Sequence, residues 1–215
     1  MAFYKGRAYV GLQNIDSSFS NYGRGLIAAI DTEEHEIIDL DTEKEGLQAI
    51  KLNGKNPFGL FIDQGKLWTV LGGSYKKELK EKERSIERID LKDLSTDVWA
   101  LGNELAGLPT EEILFPKGDL AYIGSQDESS GKFSLKSFNK RERGPLKEAF
   151  TLNGKSFVSS IALKGDSSIL LLNRDELRPG IIELGIEQRK QLNFFQTNIA
   201  PFSIAFYEND QGLKR

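Results

Sequence analysis

A chain of 215 residues is long enough to bury one core, and no Pro/Ser-rich linker divides it, so residues 1–215 are read as a single domain. Its 29 Lys and Arg against 32 Asp and Glu leave a net charge of -3, which gives no electrostatic footprint for a phosphate backbone; no nucleic-acid partner is expected. Cysteine is absent, which excludes disulfides, thiolate metal sites and a cysteine nucleophile. No apolar run approaches the ~18 residues of a spanning helix, and the opening MAFYKGRAYV lacks the long apolar region of a signal peptide.

Taken in order, the chain repeats itself. After a turn at Lys5-Gly6, Arg7 to Asn14 reads as a β-rich run, and it lines up with Lys66 to Gly73 behind Gln64-Gly65. A third copy, Asp119 to Asp127, follows Lys117-Gly118 with a one-residue offset, and a weaker fourth, Ser168 to Asp175, follows Gly165-Asp166. The Gly-containing turn before each is the tight reversal that two antiparallel strands need. Every copy leads through a polar loop to another β run, at Gly25 to Asp31, Ser85 to Asp90, Lys132 to Phe138 and Gly180 to Leu184. A further run follows at Val98 to Leu101, Lys147 to Leu152 and Lys190 to Phe195; in the first unit Glu36 to Leu40 and Leu47 to Leu52 compete for that place.

The cycle restarts with an apolar strand at Phe58, Ile113, Phe157 and Phe202, twice behind one tetrapeptide, Leu52-Asn53-Gly54-Lys55 and Leu152-Asn153-Gly154-Lys155. Four strands per unit, repeated about four times, predict an all-β chain: a β-propeller of about four four-stranded blades, with a β-sandwich as the alternative. Two readings of its ends stay open. The chain opens just before a second strand, at Arg7, and closes on Pro201 to Tyr207, so Phe202 to Tyr207 pairing with Ala8 to Leu12 would close the ring by a shared blade. Otherwise the chain is an arc of a larger, seven-bladed propeller.

The repeats resemble the YVTN-type β-propeller family. The resemblance rests on Asn56-Pro57-Phe58-Gly59-Leu60, on the Gly-Lys-Leu-Trp-Thr-Val and Arg-Ala-Tyr-Val turn-and-strand pairs, and on strands ending in Ile30-Asp31 and Ile89-Asp90. It implies a rigid binding protein of the bacterial envelope, periplasm or secreted space, commonly with seven blades.

In such a fold the loops after each second strand and the loops joining blades emerge on one face. The candidate ligand-binding residues are therefore Gln13, Asn14, Gln126, Asp127, Asn173 and Arg174 from the first set and Asn56, Glu111 and Asn198 from the second. Amides supply paired donors and acceptors, and Arg174 a fork for a carboxylate or phosphate, which suits a polar small molecule or a protein partner. The same residue types also serve ordinary turns.

No cofactor is required. Calcium is the one ion allowed by the oxygen ligands Asn14, Glu111, Asp127, Asn173 and Asp175, on the pattern of gluconolactonase-like propellers, whose dense motif is absent. No catalytic residue stands out: the single histidine, His35, lies in the polar turn Thr32 to Glu36. A non-enzymatic binding or scaffold propeller is thus the leading reading, and a metal-dependent hydrolase or lactonase the alternative. Lys76 to Arg84 reads as a solvated charged loop, Asp16 to Gly23 as a long loop presenting Phe19 and Tyr22, and Trp68 and Trp99 as core.

Overall fold

The computed structural model describes residues 1–18, 20–74, 83–152, 154 and 156–204. Four antiparallel sheets follow one another along the chain. The first holds β1 (Ala2–Tyr4), β2 (Arg7–Leu12), β3 (Leu26–Asp31), β4 (Ile37–Ile38) and β5 (Ile50–Lys51); the second β6 (Pro57–Asp63), β7 (Lys66–Gly72), β8 (Arg84–Asp90) and β9 (Thr96–Leu101). The third holds β10 (Leu108–Leu114), β11 (Leu120–Gln126), β12 (Phe133–Asn139) and β13 (Lys147–Thr151); the fourth β14 (Val158–Lys164), β15 (Ser168–Asn173), β16 (Gly180–Gly185) and β17 (Lys190–Gln196). Strands pair in chain order, as a meander does, except that in the first sheet β5 pairs with β3.

The hairpin turns at Lys5-Gly6 and Gln64-Gly65 have positive φ at both residues (47° and 72°, 51° and 74°), the geometry that matches the twist of the strands they join. Both candidates for the first unit's outermost strand are used. Ile37–Ile38 pairs with Ala29 and Ile30, and Ile50–Lys51 pairs with Leu26 and Ile27, so one strand position is filled by two short pieces along the same edge of β3.

Alternation along the strands gives each sheet two apolar sides, and the sheets stack on them in succession. Tyr9, Ile27 and Ala29 of the first sheet meet Leu60, Leu67 and Ile89 of the second. Trp68, Val70 and Trp99 of the second meet Ile113, Ile123 and Phe138 of the third, and Tyr122 and Leu135 of the third meet Ile161, Leu171 and Ile182 of the fourth. Trp68 and Trp99 are core, as expected: their rings meet edge to face at 5.2 Å, and the Arg88 guanidinium lies 4.0 Å over Trp99. The result is an arc of four stacked blades.

Three expectations need correction. The first unit does not lack its innermost strand, because Ala2–Tyr4 pairs with Arg7 to Tyr9. The closing strand is not formed where it can be seen: 201–204 carry no strand, 205–207 lie outside the described residues, and Ala8 and Tyr9 already have partners on both edges. The charged run Lys76 to Arg84 lies mostly outside the described residues, yet its last member, Arg84, opens β8 and is only 1% exposed. Its guanidinium reaches Glu128 of the third sheet at 2.8 Å.

Candidate functional site

In a four-stranded meander the ends of the second and fourth strands lie together, so one face of the arc collects the loops after β2, β7, β11 and β15 and the loops joining sheets. Between the third and fourth sheets this face opens into a groove of about 990 Å³. One wall is Gln126, Asp127, Glu128 and Gly131 after β11. The other is Arg174 to Leu177 after β15, with Ser156 and Phe157 of the joining loop between them and Asn198 and Ala200 beyond β17.

The loops are built by their own carboxylates. Asp127 accepts hydrogen bonds from the Ser129 hydroxyl at 2.6 Å and from the Ser129 and Ser130 amides at 2.8 and 2.9 Å. Those donors, the Ser129 hydroxyl first, hold its pKa down to about 2. Asp175 shapes the facing loop in the same way, accepting from the amides of Leu177 and Arg178 at 2.8 and 3.0 Å. Glu128 pairs with the buried Arg84, which ties the second sheet to the groove wall.

The groove floor is different. Among the described residues, Gln126 Oε1, Ser156 Oγ and Arg174 Nε are buried with no hydrogen-bond partner. Such atoms are costly to leave unpaired, at about 1–3 kcal/mol each, and all three belong to residues that line this groove. The Arg174 guanidinium carbon lies 5.7 Å over the Phe157 ring and 5.5 Å over the Phe202 ring, so aromatic faces hold the cation in place. Both rings are largely exposed, and Leu177 on the opposite lip is 94% exposed.

Of the residues anticipated from the sequence, the structure brings Gln126, Asp127, Arg174 and Asn198 to this groove, together with Asp175 from the calcium set. Gln13 and Asn14 sit beyond β2 on the first sheet, where the Asn14 amide donates to the Arg24 carbonyl at 3.0 Å and its backbone turns at a φ of 52°. Asn56 is not an open loop residue: it is 1% exposed, and its carbonyl accepts from Gly72 at 3.0 Å. Glu111 lies within β10 rather than in a joining loop, because that strand begins at Leu108 and carries a register shift between Pro109 and Ile113. Asn173 is buried at the end of β15, donating to the Arg178 carbonyl at 3.1 Å.

Among the described residues no three His, Asp or Glu side chains converge in the manner a metal ion requires. His35 is an exposed turn residue with a φ of 59°. In the Asp16 loop, Phe19 lies outside the described residues, and Asp16 accepts from the Ser20 amide at 2.9 Å, the first cause of a pKa lowered to about 2.

Glu128, Phe157 and Leu177 were not anticipated as site residues. The signal for Phe157 was present: the two Leu-Asn-Gly-Lys copies place it opposite Pro57, and an aromatic there is the departure from the repeat. Asn56, Ser74 and Arg84 also carry unpartnered buried polar atoms, but none of the three lines this groove. On the opposite face a hollow of about 500 Å³ lies beside Gly65. There Lys66 pairs with Asp90 and Lys5 lies 5.2 Å over the Tyr4 ring, and none of its lining residues has an unpartnered buried polar atom.

Comparison with solved structures agrees with this architecture. The chain superposes on the nidogen chain of a nidogen/laminin complex with a TM-score of 0.51 at 14% identity, covering 80% of this chain and 59% of that one. It matches the Dos1 propeller with a TM-score of 0.56 at 12% identity (90% and 44% covered), and oligogalacturonate lyase in complex with manganese with 0.57 at 11% (87% and 49%). The fold is a β-propeller. The chain spans less than two thirds of the length of each of these propeller chains. No family model matches the sequence, and no curated protein matches it. Likeness at this identity speaks to fold alone. No helix among the described residues is long and apolar enough to cross a membrane.

Proposed function

We propose that this propeller is a non-enzymatic binding protein that takes an extended segment of a protein partner in the groove between its third and fourth blades. The observation that carries the reading is the set of unpaired buried atoms, Gln126 Oε1, Ser156 Oγ and Arg174 Nε, on residues that line one groove. An acceptor, a hydroxyl and a cationic donor suit the alternating N–H and C=O groups of a peptide backbone. Around them, Phe157, Phe202 and Leu177 offer exposed apolar contact, and Asp127, Glu128, Asp175 and Glu176 outnumber Arg174. That rim favours a segment with basic and aromatic or aliphatic side chains over an anionic sugar. The solved complex of nidogen with laminin is an example of a propeller protein with a protein partner. The YVTN-type resemblance supports placing this protein in the bacterial envelope, periplasm or secreted space, which cell fractionation tests.

A phage-displayed random peptide library supplies the probe. Selection on the intact chain is expected to enrich peptides carrying Lys or Arg beside aromatic residues, and the Gln126→Ala/Arg174→Ala variant is expected to bind them about tenfold or more weakly, the scale of one lost charge-assisted hydrogen bond. Peptides that bind that variant as tightly as the native chain would overturn the reading.

A further inference from the structure

The hollow of about 500 Å³ on the opposite face lies between the hairpin turns of the first and second blades and shares no residue with the groove. Its volume falls in the range of small-molecule sites. The wall gathers Lys5, Arg7, Lys66 and Lys92 in a chain whose net charge is -3, and the one carboxylate that lines it, Asp90, is already paired with Lys66. Asp31 stands opposite Arg7 in the register of β2 and β3, but its carboxylate accepts from the Glu33 and Glu34 amides at 2.8 and 3.0 Å. Among the described residues no carboxylate comes within ion-pair distance of Lys5, Arg7 or Lys92. Like charges gathered in this way repel, and a bound anion relieves the cost.

Tyr9 lines the same hollow from the core side. It is 2% exposed, in one cluster with Ile27, Leu60 and Leu67, and its hydroxyl makes no hydrogen bond among the described residues. That hydroxyl is not sealed from solvent, and the open space beside Tyr9 is the hollow. Corresponding places at the next joints are closed by the chain itself. The register puts Tyr4 and Leu91 of this joint where Asp63 and Lys140 stand at the next, and there Lys140, 7% exposed, bonds to Asp63 at 3.2 Å. Between the third and fourth blades the Lys117 amide donates to the Asp166 carboxylate at 3.1 Å. At the first joint Lys5 of one blade faces Lys66 and Lys92 of the other instead. We propose that this hollow binds a small organic polyanion bearing phosphate or carboxylate groups. Arg7 supplies the planar fork, Lys5 and Lys92 point charges, and the Tyr9 hydroxyl a neutral donor at the floor. Such a ligand is opposite in charge to the segment the groove favours.

Titration of the isotope-labelled intact chain with inorganic phosphate, pyrophosphate and citrate at constant ionic strength, followed by amide chemical shifts, tests this. Saturable shifts are expected at 4–7, 64–66 and 90–92, with pyrophosphate or citrate bound about tenfold or more tightly than phosphate; the tighter of the two identifies phosphate or carboxylate as the recognised group. Arg7→Gln/Lys92→Gln changes two exposed side chains and Tyr9→Phe keeps the buried ring, so both should melt as the native chain does while binding the anion about tenfold and about threefold more weakly. Shifts that never saturate, or that spread over lysines elsewhere, would overturn the proposal. So would binding that either variant leaves unchanged, or binding lost with Gln126→Ala/Arg174→Ala, which would place the anion in the groove. Peptide binding at the groove is read separately and stands or falls by the library selection.

Discussion

Asp127, in the groove wall, and Glu112, on β10, show how one side chain sets local behaviour. Because its hydroxyl and amide donors depress the folded pKa of Asp127, its contribution is present above the ordinary carboxylate range and is lost as pH falls toward about 2. Asp127→Ala should lower the melting temperature at pH 7, with the difference vanishing as both proteins are brought toward that acidic limit. Glu112 has the opposite sign. It is half-buried on β10, accepts from the Ser160 hydroxyl at 2.7 Å, and burial raises its pKa. A raised carboxyl disfavours the ionised folded form, so stability falls as pH rises from the ordinary value of roughly 4.3 through the folded one. Glu112→Gln keeps an acceptor for Ser160, and its melting temperature should exceed that of the native chain near pH 7 while matching it near pH 4. Equal gains at both pH values would place the effect elsewhere.

At the scale of elements, the Leu-Asn-Gly-Lys joint between the first two blades is held by a carboxylate from a strand 33 residues on. Glu87, fully buried in β8, accepts from the Asn53 and Gly54 amides at 2.9 and 2.6 Å and from Ser85 at 3.3 Å. Glu87→Ala strands those amides and should cost about 3 kcal/mol in denaturant unfolding. Trp68→Ala, which empties the centre of the aromatic stack with Trp99, Phe115 and Phe138, should cost about 4 kcal/mol by the same measurement. The strands and their turns were legible because period-two patterning and Gly-containing reversals are local. The Glu87 clamp and the Arg84–Glu128 pair were not, since each depends on a partner more than thirty residues away. The start of β10 was misplaced because a register shift breaks the period between Pro109 and Ile113. Four of the nine anticipated binding residues meet at one groove because loops on one face were identifiable; which loops converge depends on how neighbouring blades pack.

For the whole molecule, the four-blade stack makes the groove a property of two neighbouring blades rather than of a closed central funnel. Its walls come from β11 and β15, whose sheets are fixed to each other by Tyr122, Leu135, Leu171 and Ile182. Binding there should therefore fail when Arg174 or Gln126 is truncated. Amide chemical-shift mapping with a library-selected peptide tests the central claim most directly. The account predicts that perturbed amides cluster at 126–131, 156–157, 174–178 and 198–200; a cluster instead at the opposite turns, Lys5-Gly6, Gln64-Gly65, Lys117-Gly118 and Gly165-Asp166, would contradict it.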